Sequence, residues 1–129
     1  MTTPNGQRHE LRTPRTYCVD LFSTLTGGGV GADLANADSA INGGGEIVSA
    51  VWSSTGTYTV TFRKKWPQLL FAPIATFVGG TQDFNLQCSA IDVTAGTATF
   101  VFGSNTTPTD VPTTTTAYIR WTVRAVSKN

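Results

Sequence analysis

The side chains that most often carry chemistry are few in this sequence and far apart. His9 is the single histidine, and the two thiols are Cys18 and Cys88. A catalytic triad or a histidine-based metal site needs a histidine fixed by packing and by a second hydrogen bond, and His9 lies in a stretch with almost no apolar residues. Asp33 and Asp38 are the closest pair of carboxylates, and their glycine-rich surroundings favour Asx turns and capping. We therefore expect no enzyme activity, no metal site and no cofactor.

Two further patterns lead to the same expectation. The glycines of GGGVG (27–31) invite comparison with a phosphate-binding loop, but no Gly-Lys-Ser/Thr and no amphipathic helix follow, so a flexible linker is favoured. Since Met1 opens a polar stretch that does not read as a signal peptide, the chain is expected to stay in a reducing compartment. Cys18 and Cys88 are then expected to be reduced and packed as small hydrophobic side chains.

The one basic and aromatic cluster consists of Arg63, Lys64 and Trp66, with Lys65 between them. It has three interpretations: phosphate contact with stacking on Trp66, a charged strand end that protects a sheet edge, or an anchor in a protein interface. The formal net charge of the chain is only +1. Such a low charge predicts neither direct nucleic-acid binding nor a membrane partner.

The first 16 residues read as an extended arm that contacts a partner. Pro4, Gly6 and Pro14 interrupt any regular element, and arginines make the segment locally basic. The residues predicted to make arm contacts are Arg8, Arg12, Arg15 and Tyr17. An arm of this kind either moves freely or lies along a partner.

Period-2 alternation dominates the rest of the chain and predicts strands. Candidates are 16–22, 47–53, 57–62, 69–78, 84–93, 97–102 and 117–126. The cleanest is 57–62, in which Tyr58, Val60 and Phe62 face inward and threonines face outward. Strand 69–78 reads as buried, with Pro73 indicating an edge or a bulge, and a change of face near Ala90 indicates another bulge.

These elements predict one all-β domain, an antiparallel two-sheet sandwich of Greek-key or jelly-roll topology, with a small closed barrel as the second choice. The arm covers 1–16 and the sandwich 17–129, with a long glycine-rich loop at 24–45 and a polar loop at 104–116. With 129 residues, 40% hydrophobic and only 13% charged, the composition excludes a coiled coil, a helical bundle and a highly charged disordered chain.

The segment STGTYTVTF (54–62), followed by Pro67 and APIAT (72–76), resembles structural proteins of tailed bacteriophages. Small head decoration (cement) proteins show this order of a Thr-rich hairpin, a proline and an apolar strand, and IRWTVRAV (119–126) is similar to their last strand. Tail-fibre tip domains are a weaker match, because no stalk or repeat precedes the domain. The resemblance covers about 46–127 and carries no active-site residues.

The resemblance implies a structural protein on the outer surface of a virion capsid, assembled in the host cytoplasm. Its expected partners are the major capsid protein and further copies of itself, as a dimer or a trimer. The expected contact residues are those of the arm together with Arg63, Lys64 and Trp66. The alternative is a receptor- or carbohydrate-binding sandwich, in which Trp66 and the Thr-rich loop near Asp110 form a shallow aromatic site.

Overall fold

The computed structural model describes residues 15–36, 47–80, 83–104 and 106–127, and every regular element in these ranges is a β-strand. The strands are β1 (Arg15–Thr26), β2 (Ala35–Asn36), β3 (Ile47–Ser54), β4 (Thr57–Phe62), β5 (Gln68–Val78), β6 (Phe84–Asp92), β7 (Thr97–Ser104), β8 (Thr107–Pro108) and β9 (Thr116–Ser127). Within these ranges the chain forms no helix that could cross a bilayer. The predicted all-β class is confirmed.

The strands form two antiparallel sheets. Sheet A has the order β2-β1-β9-β5, and sheet B has the order β3-β4-β7-β6 with β8 paired to β7. Aromatic rings join their inner faces: Trp121 of sheet A contacts Phe100 and Phe62 of sheet B, with ring centroids 4.7 Å and 5.4 Å apart. Edge-to-face contacts of this kind add to the hydrophobic gain of burial. The arrangement is sandwich-like, as expected.

Strand alternation explains why the core lies between the sheets. In β9, Ile119, Trp121 and Val123 are buried, whereas Tyr118 and Arg120 are exposed. Each fully buried large apolar side chain contributes about 1.5–3 kcal/mol. The buried Trp121 indole donates a 3.0 Å hydrogen bond to Ser23 Oγ, so the largest core residue leaves no unpaired polar group.

All seven predicted strands are present, and several details of the prediction are confirmed. The register shifts between Cys88 and Ala90, where the bulge was expected. Strand β5 lies at the edge of sheet A and shifts register on both sides of Phe71, close to Pro73. The prediction that β5 is buried is wrong, however: Ile74 and Val78 are 58% and 53% exposed, because no other layer of the described residues covers the outer face of sheet A.

Other boundaries need correction. Strand β1 begins at Arg15, which pairs with Ser127, so the predicted arm loses its last two residues to sheet A, and residues 1–14 lie outside the described part. Strand β1 also continues to Thr26, which shortens the predicted loop at 24–45. Within that loop, Ala35 belongs to the short strand β2 and pairs with Thr26. Short pairings such as β2 and β8 hold only two residues each, too few to show alternation.

Candidate functional site

Asp110 accepts more hydrogen bonds than any other carboxylate in the described part of the chain. Its Oδ1 accepts hydrogen bonds from Gly56 N at 2.7 Å and Trp52 Nε1 at 2.9 Å, and its Oδ2 accepts one from Gly31 N at 2.9 Å. Burial pushes the pKa of Asp110 upward, but these donors more than offset burial and hold the pKa below its ordinary value. A carboxylate that stays ionised and fully hydrogen-bonded connects loops and is a poor general acid.

Three other reactive groups of the described part, Tyr58, Cys88 and Asp33, each make a hydrogen bond of their own. Burial raises the pKa of the Tyr58 hydroxyl and of the Cys88 thiol, so both stay protonated near neutral pH. Asp33 accepts a 2.8 Å hydrogen bond from Trp52 N in β3 and so makes a long-range bond in place of the expected local turn. In residues 15–36, 47–80, 83–104 and 106–127, no three His, Cys, Asp or Glu side chains come together as metal ligands.

The two cysteines behave differently from each other. Cys88 is half-buried against the core and donates to Ala90 O at 3.6 Å, as a small hydrophobic side chain can. Cys18 is exposed on β1, so the prediction that it packs inside is wrong. Its position in the strand alternates with the inward Val19 and Leu21, which places it on the outer face of sheet A.

The structure brings the predicted contact residues of β1 and of the β4–β5 connection to one end of the sheets. The connection holds Arg63, Lys64 and Trp66 and leads into Gln68, which pairs with Arg124 of β9. Tyr17 of β1 lies opposite Ala125 of β9 and is half-exposed. The side chain of Arg15, and all of Arg8 and Arg12, lie outside what the structure describes.

Trp66 and Lys64 form a packed pair at this end. The Lys64 Nζ lies 4.8 Å from the centroid of the Trp66 ring, and the ring packs against the core. The Trp66 indole nitrogen is buried, and no described group accepts its hydrogen. Trp66 can therefore offer a partner its ring surface and the cation held over it, while its N–H points away from solvent.

Charges are separated along the strand axis. Four cations, Arg63, Lys64, Lys65 and Arg124, lie at the end just described, with Asp92 as the one carboxylate among the described residues there. We call it the basic end. The opposite end, called the loop end, holds Asp33, Asp83 and Asp110, and no described residue there is a lysine or an arginine. A net charge of +1 conceals this separation.

The outer face of sheet A is the second unusual surface. Phe22, Ile74 and Tyr118 are 65%, 58% and 51% exposed there, around Arg120. They line an open groove of about 350 Å³. The outer face of sheet B is more mixed: Thr59 pairs there with Thr99 and with the exposed Val51, and Gln87 pairs with Val101. Aromatic side chains are exposed on sheet A, so its outer face departs further from the polar face that is usual for antiparallel sheets.

This face was not predicted from the sequence, although one signal in the strand alternation indicates it. The alternation of 117–126 predicted that Arg120 points outward, and Tyr118 has the same parity. Phe22 alternates with the inward Leu21 and Ser23 in the same way. The aromatic site expected between Trp66 and the Asp110 loop does not form. Trp66 lines a small cleft together with Phe62, the last residue of β4, whereas Asp110 accepts a hydrogen bond from Gly56, just before the first residue of β4. The length of β4 separates the two places by about 17 Å.

Comparisons with protein-family models, with curated proteins and with solved structures found no match for this chain.

Proposed function

We propose that this chain is a structural virion protein that decorates a phage capsid and stabilises it by bridging major capsid protein subunits. The proposal starts from the resemblance of 46–127 to head decoration proteins. The described surfaces favour binding by contact area, since Asp110, Asp33, Tyr58 and Cys88 are engaged in hydrogen bonds within the fold. Such a protein acts by adding contacts across a seam, and several modest contacts together give firm attachment.

The observation that carries the proposal is the basic end. Lysine and arginine side chains lie there beside Trp66 and the half-exposed Tyr17, and arginine and aromatic residues are the commonest anchors of protein interfaces. A surface of this charge fits an acidic patch on the shell. Charge complementarity directs the encounter and sets the orientation of the bound protein.

Two finer features of the fold belong to the same proposal. We propose a Greek-key or jelly-roll topology for the sandwich, and the position of β4 beside β7 and of β9 beside β5 supports it. The segment before β1 is an arm that lies on the shell or on a neighbouring copy. Arg8 and Arg12 are its proposed contacts.

The test replaces two cations of the basic end. Arg63→Gln combined with Lys64→Gln lowers the formal net charge from +1 to −1. The control, Thr59→Glu with Gln87→Glu, makes the same change on the outer face of sheet B. We expect the first variant to occupy shells purified without this protein at least about tenfold more weakly, and the control to bind like the wild type. Occupancy is measured by co-sedimentation over a salt series.

Equal loss of binding by both variants would show that net charge alone matters, and unchanged binding by the first variant would remove the basic end from the mechanism. Wild-type protein that binds tails in place of heads in electron micrographs, or that saturates on a glycan array, would favour the tail-fibre or the carbohydrate-binding alternative.

A further inference from the structure

The outer face of sheet A consists of regular cross-strand rows. One row runs Phe22–Arg120–Ile74 across β1, β9 and β5, and the next runs Thr24–Tyr118–Thr76. Antiparallel pairing fixes these neighbours, because residues opposite each other share a face. The face is therefore a continuous surface with apolar side chains at its centre, and not a set of isolated exposed residues.

Exposing adjacent apolar side chains to water is unfavourable in free energy. Phe22, Ile74 and Tyr118 each expose more than half of their surface and lie in adjacent positions, whereas single exposed apolar residues are normal. Aromatic residues and arginine at the centre, with polar threonines around them, form the usual composition of a protein interface. The surface thus has the chemistry of one that another protein covers.

The charges on the face favour a second copy as that protein. Asp20 of β1 lies one row from Arg120, and its carboxylate accepts a 2.8 Å hydrogen bond from Thr122 Oγ1. No hydrogen bond or ion pair joins the Arg120 guanidinium to another residue of the described part. The face carries both signs of charge, so two copies can each place Arg120 against the other's Asp20, as a two-fold interface requires.

The charge separation between the two ends selects the direction of pairing. If two copies stacked with their strands parallel, the two basic ends would lie together and repel. With the strands antiparallel, the basic end of each copy lies over the loop end of the other, where Asp33, Asp83 and Asp110 are found. In this arrangement the row of Phe22 and Arg120 in one copy faces the row of Asp20 and Thr122 in the other.

The available area agrees with a weak, reversible pair. Three strands about 4.8 Å apart, over eight residues of about 3.3 Å each, cover roughly 400 Å² per copy. Two copies then bury roughly 800 Å² in total, or somewhat more because projecting side chains make the surface uneven. This area is at the low end for specific interfaces. The association is therefore expected to depend on concentration in the micromolar range.

We propose that a second copy of this chain covers the outer face of sheet A, with the two sheets stacked antiparallel about a two-fold axis and Arg120 of each copy against Asp20 of the other. This pairing goes beyond the capsid proposal and does not depend on it. It places the two basic ends at opposite extremities of the pair, where each can also contact a separate subunit.

Sedimentation velocity between about 1 µM and 1 mM tests the pairing, with reductant present because Cys18 is exposed. The wild type is expected to shift from monomer to dimer across this range. Asp20→Arg and Arg120→Asp are each expected to weaken the dimer at least about tenfold, since each places like charges together twice. An equimolar mixture of the two variants is expected to form a heterodimer, because both contacts then join opposite charges.

Control variants separate a specific contact between Arg120 and Asp20 from a general effect of net charge. Thr59→Arg with Gln87→Arg, and Thr59→Glu with Gln87→Glu, change the net charge by the same amounts on sheet B and are expected to dimerise like the wild type. Phe22→Thr with Tyr118→Thr is expected to abolish the dimer without unfolding the chain, as circular dichroism reports. A wild type that stays monomeric, single charge variants that still dimerise, or a mixture that fails to pair would overturn the proposal.

Discussion

Asp110 shows how one carboxylate can join three parts of the chain. It accepts hydrogen bonds from the loop at Gly31, from the β3–β4 turn at Gly56 and from the indole of Trp52. The next residue, Val111, is buried and donates a 3.1 Å hydrogen bond to the Tyr58 hydroxyl. The loop end thus depends on a few long-range hydrogen bonds together with the burial of Val111.

Asp110→Asn is expected to lower the free energy of unfolding by about 1–2 kcal/mol at pH 7, because an amide is a weaker acceptor than a carboxylate and brings donors of its own. The lowered pKa of Asp110 means that its contribution is fully present above its ordinary value and is lost as pH falls through the lower folded-state value. Urea unfolding at pH 7 and in acid measures this. The gap between variant and wild type should narrow in acid.

A matched control is Asp83→Asn, which alters an exposed carboxylate at the same end of the molecule. It should unfold like the wild type at pH 7. A gap for Asp110→Asn that stays constant from pH 7 to strong acid would show that the charge of Asp110 contributes nothing.

Individual strands show how far the sequence alone could predict this fold. Strands β4 and β9 were predictable because each has one buried and one solvated face, so that Tyr58 and Val60 alternate with threonines. Strand β5 was not predictable in the same way, since apolar residues on both of its faces are typical of a buried strand, and only the sheet order shows that Ile74 lies outside. The role of Asp110 was not predictable, because its three donors lie 54 to 79 residues away along the chain.

The turn between β3 and β4 offers a test at the level of the element. Gly56 has a φ of +68°, and a Cβ there would lie 2.5 Å from Phe102 O and Thr109 N. Gly56→Ala is therefore expected to cost more than about 2 kcal/mol of unfolding free energy, from backbone strain together with the close contact.

Gly31→Ala is the matched control, because Gly31 has nearly the same φ, +69°, but open space around its Cβ position. It should cost only the strain, about 1–2 kcal/mol. The shift in urea midpoint measures both variants. If the two lose equal stability, the close approach of β7 and the loop at Thr109 to the turn is not important.

The whole molecule combines a neutral composition with a polar distribution of charge. The formal net charge of +1 predicted a protein without a strong overall electric field. Pairing of β9 with both β1 and β5 nevertheless collects Arg124, Lys64 and Lys65 at the same end. Only the folded topology brings these positions together, since the residues come from distant parts of the chain.

Deletion of residues 2–13 tests whether the proposed arm contributes to the binding of the whole molecule to shells. The deletion leaves β1 intact from Arg15, so the thermal midpoint should change little. Occupancy of shells should fall by about tenfold or more if Arg8 and Arg12 contribute contacts. Thermal unfolding and co-sedimentation are measured on the same samples. Full occupancy by a folded deletion variant would exclude the arm from binding.

Opposite charges at the two ends of the described part give a single copy an electric dipole along the strands. Near any negatively charged surface the molecule is turned before it touches, with Lys64 leading and the turn that carries Val30 trailing. Where copies bind singly rather than as the antiparallel pair, Val30, which is 94% exposed, would then be among the outermost groups of a coated particle, in a layer of carboxylates. A coat of this kind presents a more acidic exterior than the net charge of its subunits suggests.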